Sequence, residues 1–494
     1  MGSNAISERL IDSGITMQKQ DNHYRNYING QWCDNDKLIE VLNPATEQAV
    51  ASIACADKND VNLAVKAARA CVNSGALSDP RPVKRVRLLM KIAVEIRLME
   101  DEIVPLLVAE NGKDIASARD EVRTAVRYFE YYAGMADKIE GKSIPLGKNY
   151  VDFTYYEPIG VSAQIVPWNF PFDIAARSLA PALAAGNAVV VKSPELTPLA
   201  VTYLAVACER AGLVAGAFNL ICGYGPEAGA ALVAHNDIDQ VVFTGSVATG
   251  REILKSAAER AVPCVMELGG KSAAIVFPDA DLDALMNSVD WGIFFNAGQV
   301  CSAMSRLIVH EDIHDEVLAR VTALAKEQVL GAGSEEQVTL TPVASKSQQS
   351  AVLEMCERGV SEGATLVTGG KAAERDGYFV EPTIFTNVKP ASQLFQKEVF
   401  GPVLSITTFQ TPEQAWEFAN GTDYGLVAGV FTQDLNTAMR ASKALKAGQV
   451  FVNEWYAGGV ETPFGGVGLS GYGREKGQEA LYSYVTTKNV AIRL

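Results

Sequence analysis

Between about residues 160 and 277, short apolar runs alternate with segments whose apolar residues return every three or four positions. The runs are Ile159–Val166, Ala188–Val191, Phe218–Ile221, Val241–Phe243 and Val265–Leu268. Helical spacing falls near Leu196–Ala211, Glu227–Ala234 and Thr249–Ala261. A strand that is apolar along its whole length is covered on both faces, so this block predicts an open, parallel α/β sheet with helices on each side. A second alternation follows, with helices expected at Leu282–Phe295, His314–Gln328, Lys346–Glu362 and Pro412–Ala419. Its strands are expected at Arg306–His310, Val403–Thr408, Val427–Phe431 and Val450–Asn453. Two such sheets predict two domains with a cleft between them. Two segments stand apart from both. Ile144–Tyr156 alternates polar and apolar residues around Gly147-Lys148-Asn149, as a hairpin does, and Ser483–Leu494 alternates with nothing after it to pack against. An extended arm with an open edge is a liability that pairing with another subunit would cover.

Composition narrows the class. The chain has 494 residues, 48% hydrophobic and 20% charged, which is ordinary for a soluble globular protein of more than one domain. No uncharged stretch is long enough for a membrane span, and Met1 to Gln20 lacks the basic-then-apolar order of a secretory leader, so a cytoplasmic protein is expected. A net charge of −15 repels phosphate backbones and argues against nucleic-acid binding.

Eight cysteines lie scattered at 33, 55, 71, 208, 222, 264, 301 and 356, without a Cys-x-x-Cys pair, so neither a metal site nor a disulfide framework is signalled. Cys301 alone has suggestive neighbours. It lies in Gly298-Gln299-Val300-Cys301-Ser302, where Gly298 permits a tight turn that can push a thiol into a cleft; a lone cysteine can equally be a buried core residue. The four histidines, His23, His235, His310 and His314, lie in no catalytic-looking context, which weakens a protease-like thiol–imidazole pair. Glu267, ending an apolar run before Gly269-Gly270-Lys271, offers another base, since desolvation raises a carboxyl's proton affinity; it could also be a helix cap or ion-pair partner. Asn169, in Pro167-Trp168-Asn169-Phe170-Pro171, is a neutral donor suited to a developing oxyanion, or simply part of a turn. Gly245 and Ser246 stand between a strand and a helix, where phosphates can approach free amides. Lys192 and Glu195 end an earlier strand, and a carboxylate there could accept ribose hydroxyls and repel a 2′-phosphate.

The order of these motifs, with Glu398-Val399-Phe400-Gly401-Pro402 and Pro463-Phe464-Gly465-Gly466, closely resembles the aldehyde dehydrogenase superfamily from about Tyr27 to the C-terminus. The resemblance implies a Rossmann-like NAD-binding domain (22–135 and 157–266), an α/β catalytic domain (267–465) and a small β oligomerisation arm (136–156 and 483–494). It implies Cys301 as nucleophile, Glu267 as general base and Asn169 with the Cys301 amide as oxyanion hole. Lys192 and Glu195 would hold the adenosine ribose, Gly245 and Ser246 the pyrophosphate, and Glu398 and Phe400 the nicotinamide end, with Trp168 as a cofactor-side wall. Glu475 matches a carboxylate tied to proton removal; Ser178 replaces the lysine that often accompanies it. The implied partners are a small aldehyde and further copies of the chain, as a dimer or tetramer.

The substrate positions are aromatic: Phe170, Trp291, Phe295, Trp455, Tyr456 and Phe464, which favours an aryl or bulky hydrophobic aldehyde, although Trp291 or Phe295 could simply face inward. Arg177 resembles the carboxylate-binding arginine of semialdehyde dehydrogenases, which makes a semialdehyde the second choice and an amino- or betaine-type aldehyde the third. The Glu267-type base disfavours a CoA-acylating enzyme, and the presence of Cys301, Glu267 and Asn169 disfavours a non-catalytic structural protein on the same fold.

Overall fold

A computed structural model describes residues 19–20 and 22–494, so most of the Met1 to Gln20 segment lies outside the described residues. Five buried strands form the parallel heart of the first sheet, in the spatial order Cys264–Glu267, Gln240–Thr244, Val161–Ile165, Ala188–Ser193, Phe218–Cys222. The chain winds outward in one direction from Val161–Ile165 and then in the other, so the reversal falls between that strand and Gln240–Thr244. Ligands of open α/β sheets bind beyond the carboxyl ends of the strands at such a reversal. The register gathers the relevant ends: Ile165 faces Lys192 on one side and Phe243 on the other, and Thr244 faces Glu267. Short antiparallel strands, Gly471–Tyr472 and Asn26–Ile28, flank the parallel strands.

The second sheet runs in the order Thr365–Thr368, Thr383–Thr386, Val403–Phe409, Arg306–His310, Ala273–Val276, Val427–Phe431, Gln449–Val452, parallel except for its first strand. Both α/β blocks are therefore present, with strand ends within a residue or two of those expected. The helix expected over Leu196–Ala211 begins only at Thr202, because Pro198 interrupts the preceding segment. Strands Ala273–Val276 and Thr383–Thr386 are too short to show a period, and no motif announced them.

Among the described residues, four helices precede the parallel strands of the first sheet: Lys58–Asn73, Val83–Leu98, Glu100–Asn111 and Ile115–Met135. Helix Pro171–Ala185 packs against the last of these and the central strands, and every residue from Ile174 to Ala185 is buried. Pro171 at its first turn and Gly186 at φ 97° just beyond its end mark its limits. Its amino end is closed from outside the helix: Glu121 Oε1 accepts from the amides of Phe172 (2.9 Å) and Asp173 (3.1 Å). The other oxygen of Glu121 is ion-paired with Lys113, and neither side chain has exposed surface.

The two alternating segments pair with each other. Val485–Arg493 lies antiparallel along Tyr150–Pro158 over nine residues, and Ser143–Ile144 folds back on Asp152 and Phe153 through a turn at Gly147 (φ 98°). The C-terminal run thus has its first partner within the same chain, because both segments leave the first sheet side by side where Pro158 faces Val485. Among the described residues no strand pairs with its outer edge, and Val151, Tyr155 and Ile492 of this arm are exposed. Among the described residues, no helix is long and apolar enough to cross a membrane.

Replacing Glu121 by Ala strands the Lys113 charge and uncaps the helix. The expected loss is about 3–5 kcal/mol of unfolding free energy, read from the denaturation midpoint, and a change under about 1 kcal/mol would contradict the role given to this pair.

Candidate active site

The loop leaving Val161–Ile165 carries Trp168 and Asn169, and it is held from behind. Asn111 Nδ2 donates to the Trp168 carbonyl (2.8 Å) and Thr197 Oγ1 to the same oxygen (3.0 Å). Lys113 Nζ (3.0 Å) and Asn296 Nδ2 (3.2 Å) both donate to the Asn169 carbonyl. The Asn169 amide in turn donates to the carbonyl of Gln299 (2.9 Å), two residues before Cys301. An amide nitrogen has two hydrogens, so one remains for a ligand in the cavity it lines.

Cys301 is placed by an unusual stretch of backbone. The helix expected as Leu282–Phe295 ends at Val289 and continues as one wider turn, Asp290–Phe294. Asn296, Ala297 and Gly298 then take φ of 49°, 53° and 71°, all left-handed. Such a run costs free energy and persists only where its surroundings fix it. Here Gln299 Nε2 donates to the Asn296 carbonyl (3.0 Å), and a Cβ at Gly298 would stand 2.2 Å from the Gly401 carbonyl. The wider turn also fits tight packing at Gly292, where a Cβ would lie 2.8 Å from Met304.

One cavity of about 210 Å³ brings together Trp168, Asn169, Gly245, Ser246, Glu267, Cys301, Glu398 and Phe400. The first sheet contributes from the carboxyl ends of its strands. Cys301, Glu398 and Phe400 precede strands Arg306–His310 and Val403–Phe409 and arrive from the amino ends of the second sheet. Trp168 and Phe400 meet edge-to-face at 5.4 Å. Glu398 Oε1 accepts from the Gly270 amide (2.9 Å), and a Cβ at Gly269 would collide with the same carboxylate at 2.1 Å. Ser246 caps helix Val247–Ala258, and a Cβ at Gly245 would meet the Phe243 ring at 2.5 Å. Lys192 and Glu195 lie at the next strand end, joined at 2.6 Å, with the carboxylate about one-third exposed. Gln348 also lines the cavity and donates to the Phe400 carbonyl (2.9 Å); its helix belongs to no motif, so the sequence offered no signal for it.

Glu267 is buried, and neither carboxylate oxygen has a hydrogen-bond partner. Burial, reinforced by the charge of Glu475, pushes its proton affinity well above the carboxylate range, while Arg177 and Arg474 oppose this. Glu475 is ion-paired with Arg177 and accepts from Ser178 Oγ (2.9 Å). Arg177, whose resemblance to a carboxylate-binding arginine made a semialdehyde the second choice, has its charge met inside the protein.

The aromatic side chains form a chain of ring contacts: Trp291–Phe295 (5.4 Å), Phe295–Phe170 (5.8 Å), Phe295–Tyr456 (6.4 Å) and Tyr456–Trp455 (6.3 Å). Trp291 does not face inward: it is 57% exposed. Trp455 is the core-like member, buried with its indole donating to the Ser302 carbonyl (3.1 Å). Phe464 sits apart from this chain, under the Arg177 guanidinium at 5.7 Å.

Burial pushes the Cys301 thiol up to about 12, with Arg177 opposing. A thiol whose pKa is raised is neutral near pH 7 and gains thiolate as pH rises. Alkylation of Cys301 by iodoacetamide in the free protein should therefore accelerate roughly tenfold per pH unit from 7 to 10, followed by peptide mass spectrometry; a rate already at plateau by pH 8 would contradict this environment.

Comparison with known proteins agrees with this geometry. The family described as aldehyde dehydrogenase matches residues 32–490. Human retinal dehydrogenase 2 is 40% identical over 95% of this chain and 91% of its own length. The mitochondrial aldehyde dehydrogenase family 2 member B4 of Arabidopsis thaliana is 41% identical over 100% of this chain and 91% of its own. Among solved structures, an aldehyde dehydrogenase from Bacillus cereus in complex with NAD+ superposes with a TM-score of 0.94, 40% identity and coverage of 95% and 96% of the two chains. With the fold, the motif order and the whole-chain similarity in agreement, this chain belongs to the aldehyde dehydrogenase family.

Proposed function

We propose that the protein oxidises aldehydes to carboxylic acids with NAD, through a thioester on Cys301. The observation that carries this reading is the meeting of Cys301, Glu267 and Asn169 in one cavity with a phosphate-compatible turn. The residues of the cavity and of the adjoining strand end suit the parts of a dinucleotide. Gly245 and Gly269 leave no room for a side chain, the amino end of helix Val247–Ala258 offers free amides, and Glu195 presents a carboxylate suited to ribose hydroxyls. Gly245 and Ser246 would hold the pyrophosphate, Lys192 and Glu195 the adenosine ribose, and Glu398 and Phe400 the nicotinamide end, with Trp168 as a wall.

Cys301 loses its thiol proton to solvent as its sulfur adds to the carbonyl carbon, forming a C–S bond and an alkoxide. The free hydrogen of the Asn169 amide, with the Cys301 backbone amide, stabilises that oxygen. NAD held at this site would supply the hydride acceptor needed for the adduct to become the thioester. Glu267 then takes a proton from water as its oxygen attacks the acyl carbon, and the acid departs as the C–S bond breaks and the thiol is restored. A carboxyl held above its usual range must first lose its proton to act, so deacylation slows as pH falls through that titration.

The substrate we favour is an aromatic or bulky hydrophobic aldehyde. The ring contacts from Trp291 to Tyr456 support it, as does similarity to a relative named for retinal. The ion pair of Arg177 with Glu475 removes the main support for a carboxylate-bearing semialdehyde. The exposed apolar residues on the Tyr150–Pro158 and Val485–Arg493 strands support a dimer or tetramer built on this arm. A cytosolic mouse relative supports the cytoplasmic expectation, and the mitochondrial Arabidopsis relative weighs against it.

An aldehyde panel followed at the NADH absorbance tests the reading. Wild-type protein should turn over benzaldehyde with NAD far better than with NADP, and Cys301→Ala should lower the rate by at least about 10³-fold. Substantial NADH formation by that variant would overturn the scheme.

A further inference from the structure

We propose that Asp173 and Lys476 form a polar subsite that selects aldehydes carrying a hydroxyl group at the end away from the reacting carbonyl; this rests on Cys301 as the reacting group. Phe170, Asp173 and Arg177 fall three and four residues apart, on one face at the amino end of helix Pro171–Ala185. That face begins in the aromatic cluster, since Phe170 packs on Phe295. Lys476 comes from a separate element, the turn before helix Gly477–Tyr482. Phe464 and Glu475 are bridged through their backbones, so the residue after Glu475 is delivered to the Phe464 ring. Lys476 Nζ lies 5.8 Å from that ring's centre, and the Arg177 guanidinium lies 5.7 Å from it.

The charges do not close on themselves. Arg177 is neutralised by Glu475. Among the described residues, the side chains of Asp173 and Lys476 make no ion pair or hydrogen bond, and Oδ1 of Asp173 is buried without a partner. Yet each lies within the other's electrostatic reach, and Lys476 also feels Arg177, Glu461 and Cys301. Burial moves both toward their neutral forms, Asp173 up to about 6 and Lys476 downward. Lys476 keeps this position at a backbone cost, with φ 59° and ψ 172°, a conformation that side-chain-bearing residues rarely adopt. Lys476 is carried to the Phe464 ring by one element and Asp173 stands one helical turn before Arg177 on another, and an acceptor and a donor so placed and not bonded to each other can both be satisfied by one group. A hydroxyl donates to the carboxylate and accepts from the ammonium. A carboxylate would meet Asp173 with like charge, and an ammonium would meet Lys476.

The test compares kcat/KM for 4-hydroxybenzaldehyde, 4-methylbenzaldehyde and 4-carboxybenzaldehyde in the wild type and in Lys476→Met, Lys476→Arg and Asp173→Asn. The methyl group matches the hydroxyl in size, and comparing ratios between proteins cancels the intrinsic reactivity of each ring. The hydroxy-to-methyl ratio should fall roughly tenfold or more in Lys476→Met, fall in Asp173→Asn, and recover in Lys476→Arg. Ratios unmoved by both Lys476→Met and Asp173→Asn would overturn the subsite, as would a wild type that prefers the carboxy substrate to the hydroxy one. If Lys476→Met does not fold, Asp173→Asn decides alone. Failure of all three aldehydes to yield NADH would instead count against the aromatic-aldehyde reading itself.

Discussion

A lysine and a glutamate with no exposed side-chain surface meet behind the loop that carries Asn169, and most of the cavity's geometry hangs on that contact. Glu121 uses its second oxygen on the first free amides of helix Pro171–Ala185, and Lys113 spends another hydrogen on the Asn169 carbonyl. Removing both charges from water is expensive, so the pair persists only because every bonding direction finds a partner. The Lys113 ammonium also lies 4.0 Å from the centre of the Phe170 ring. One buried cation therefore touches the backbone of the oxyanion-side residue and the first aromatic side chain of the substrate wall. From Asn169 the chain of contacts passes to the Gln299 carbonyl and so to the left-handed turn that presents Cys301.

The other half of the site runs on incomplete bonding. Glu267 and Asp173 both keep buried oxygens without partners. An unsatisfied buried carboxylate is destabilising, and it is also the state in which a carboxylate binds protons most strongly. Arg177 prevents Glu475 from adding a second unpaired charge beside Glu267. The protein thus gives up stability at the groups where proton transfer and substrate contact are to occur.

Much of this was legible in the residues. Parallel strands buried on both faces announce themselves as apolar runs, and the glycines at 245, 269 and 298 mark backbone approaches that the structure shows to be too close for a side chain. What escaped detection depends on contacts between residues far apart in the chain. Asn111 and Glu121 belong to helices of ordinary pattern and Lys113 to the short connection between them, and nothing local says that their polar ends converge on the Trp168-Asn169 loop. The role of Arg177 stays open in the sequence for the same reason: its partner lies 298 positions later, so its sequence context does not distinguish an internal ion pair from a substrate anchor. The helix ending at Val289 was overextended because a wider turn keeps nearly the same apolar spacing while shifting the residues that follow.

A covalent acyl group carried by Cys301 and removed by Glu267 is the central step of the proposed reaction. Mixing Glu267→Gln protein with benzaldehyde and NAD, quenching with acid and mapping the peptides by mass spectrometry should show a benzoyl increment on the peptide containing Cys301, formed with about one equivalent of NADH per site and persisting through slow turnover. A variant that forms benzoate at the wild-type rate with no adduct on Cys301 would contradict it.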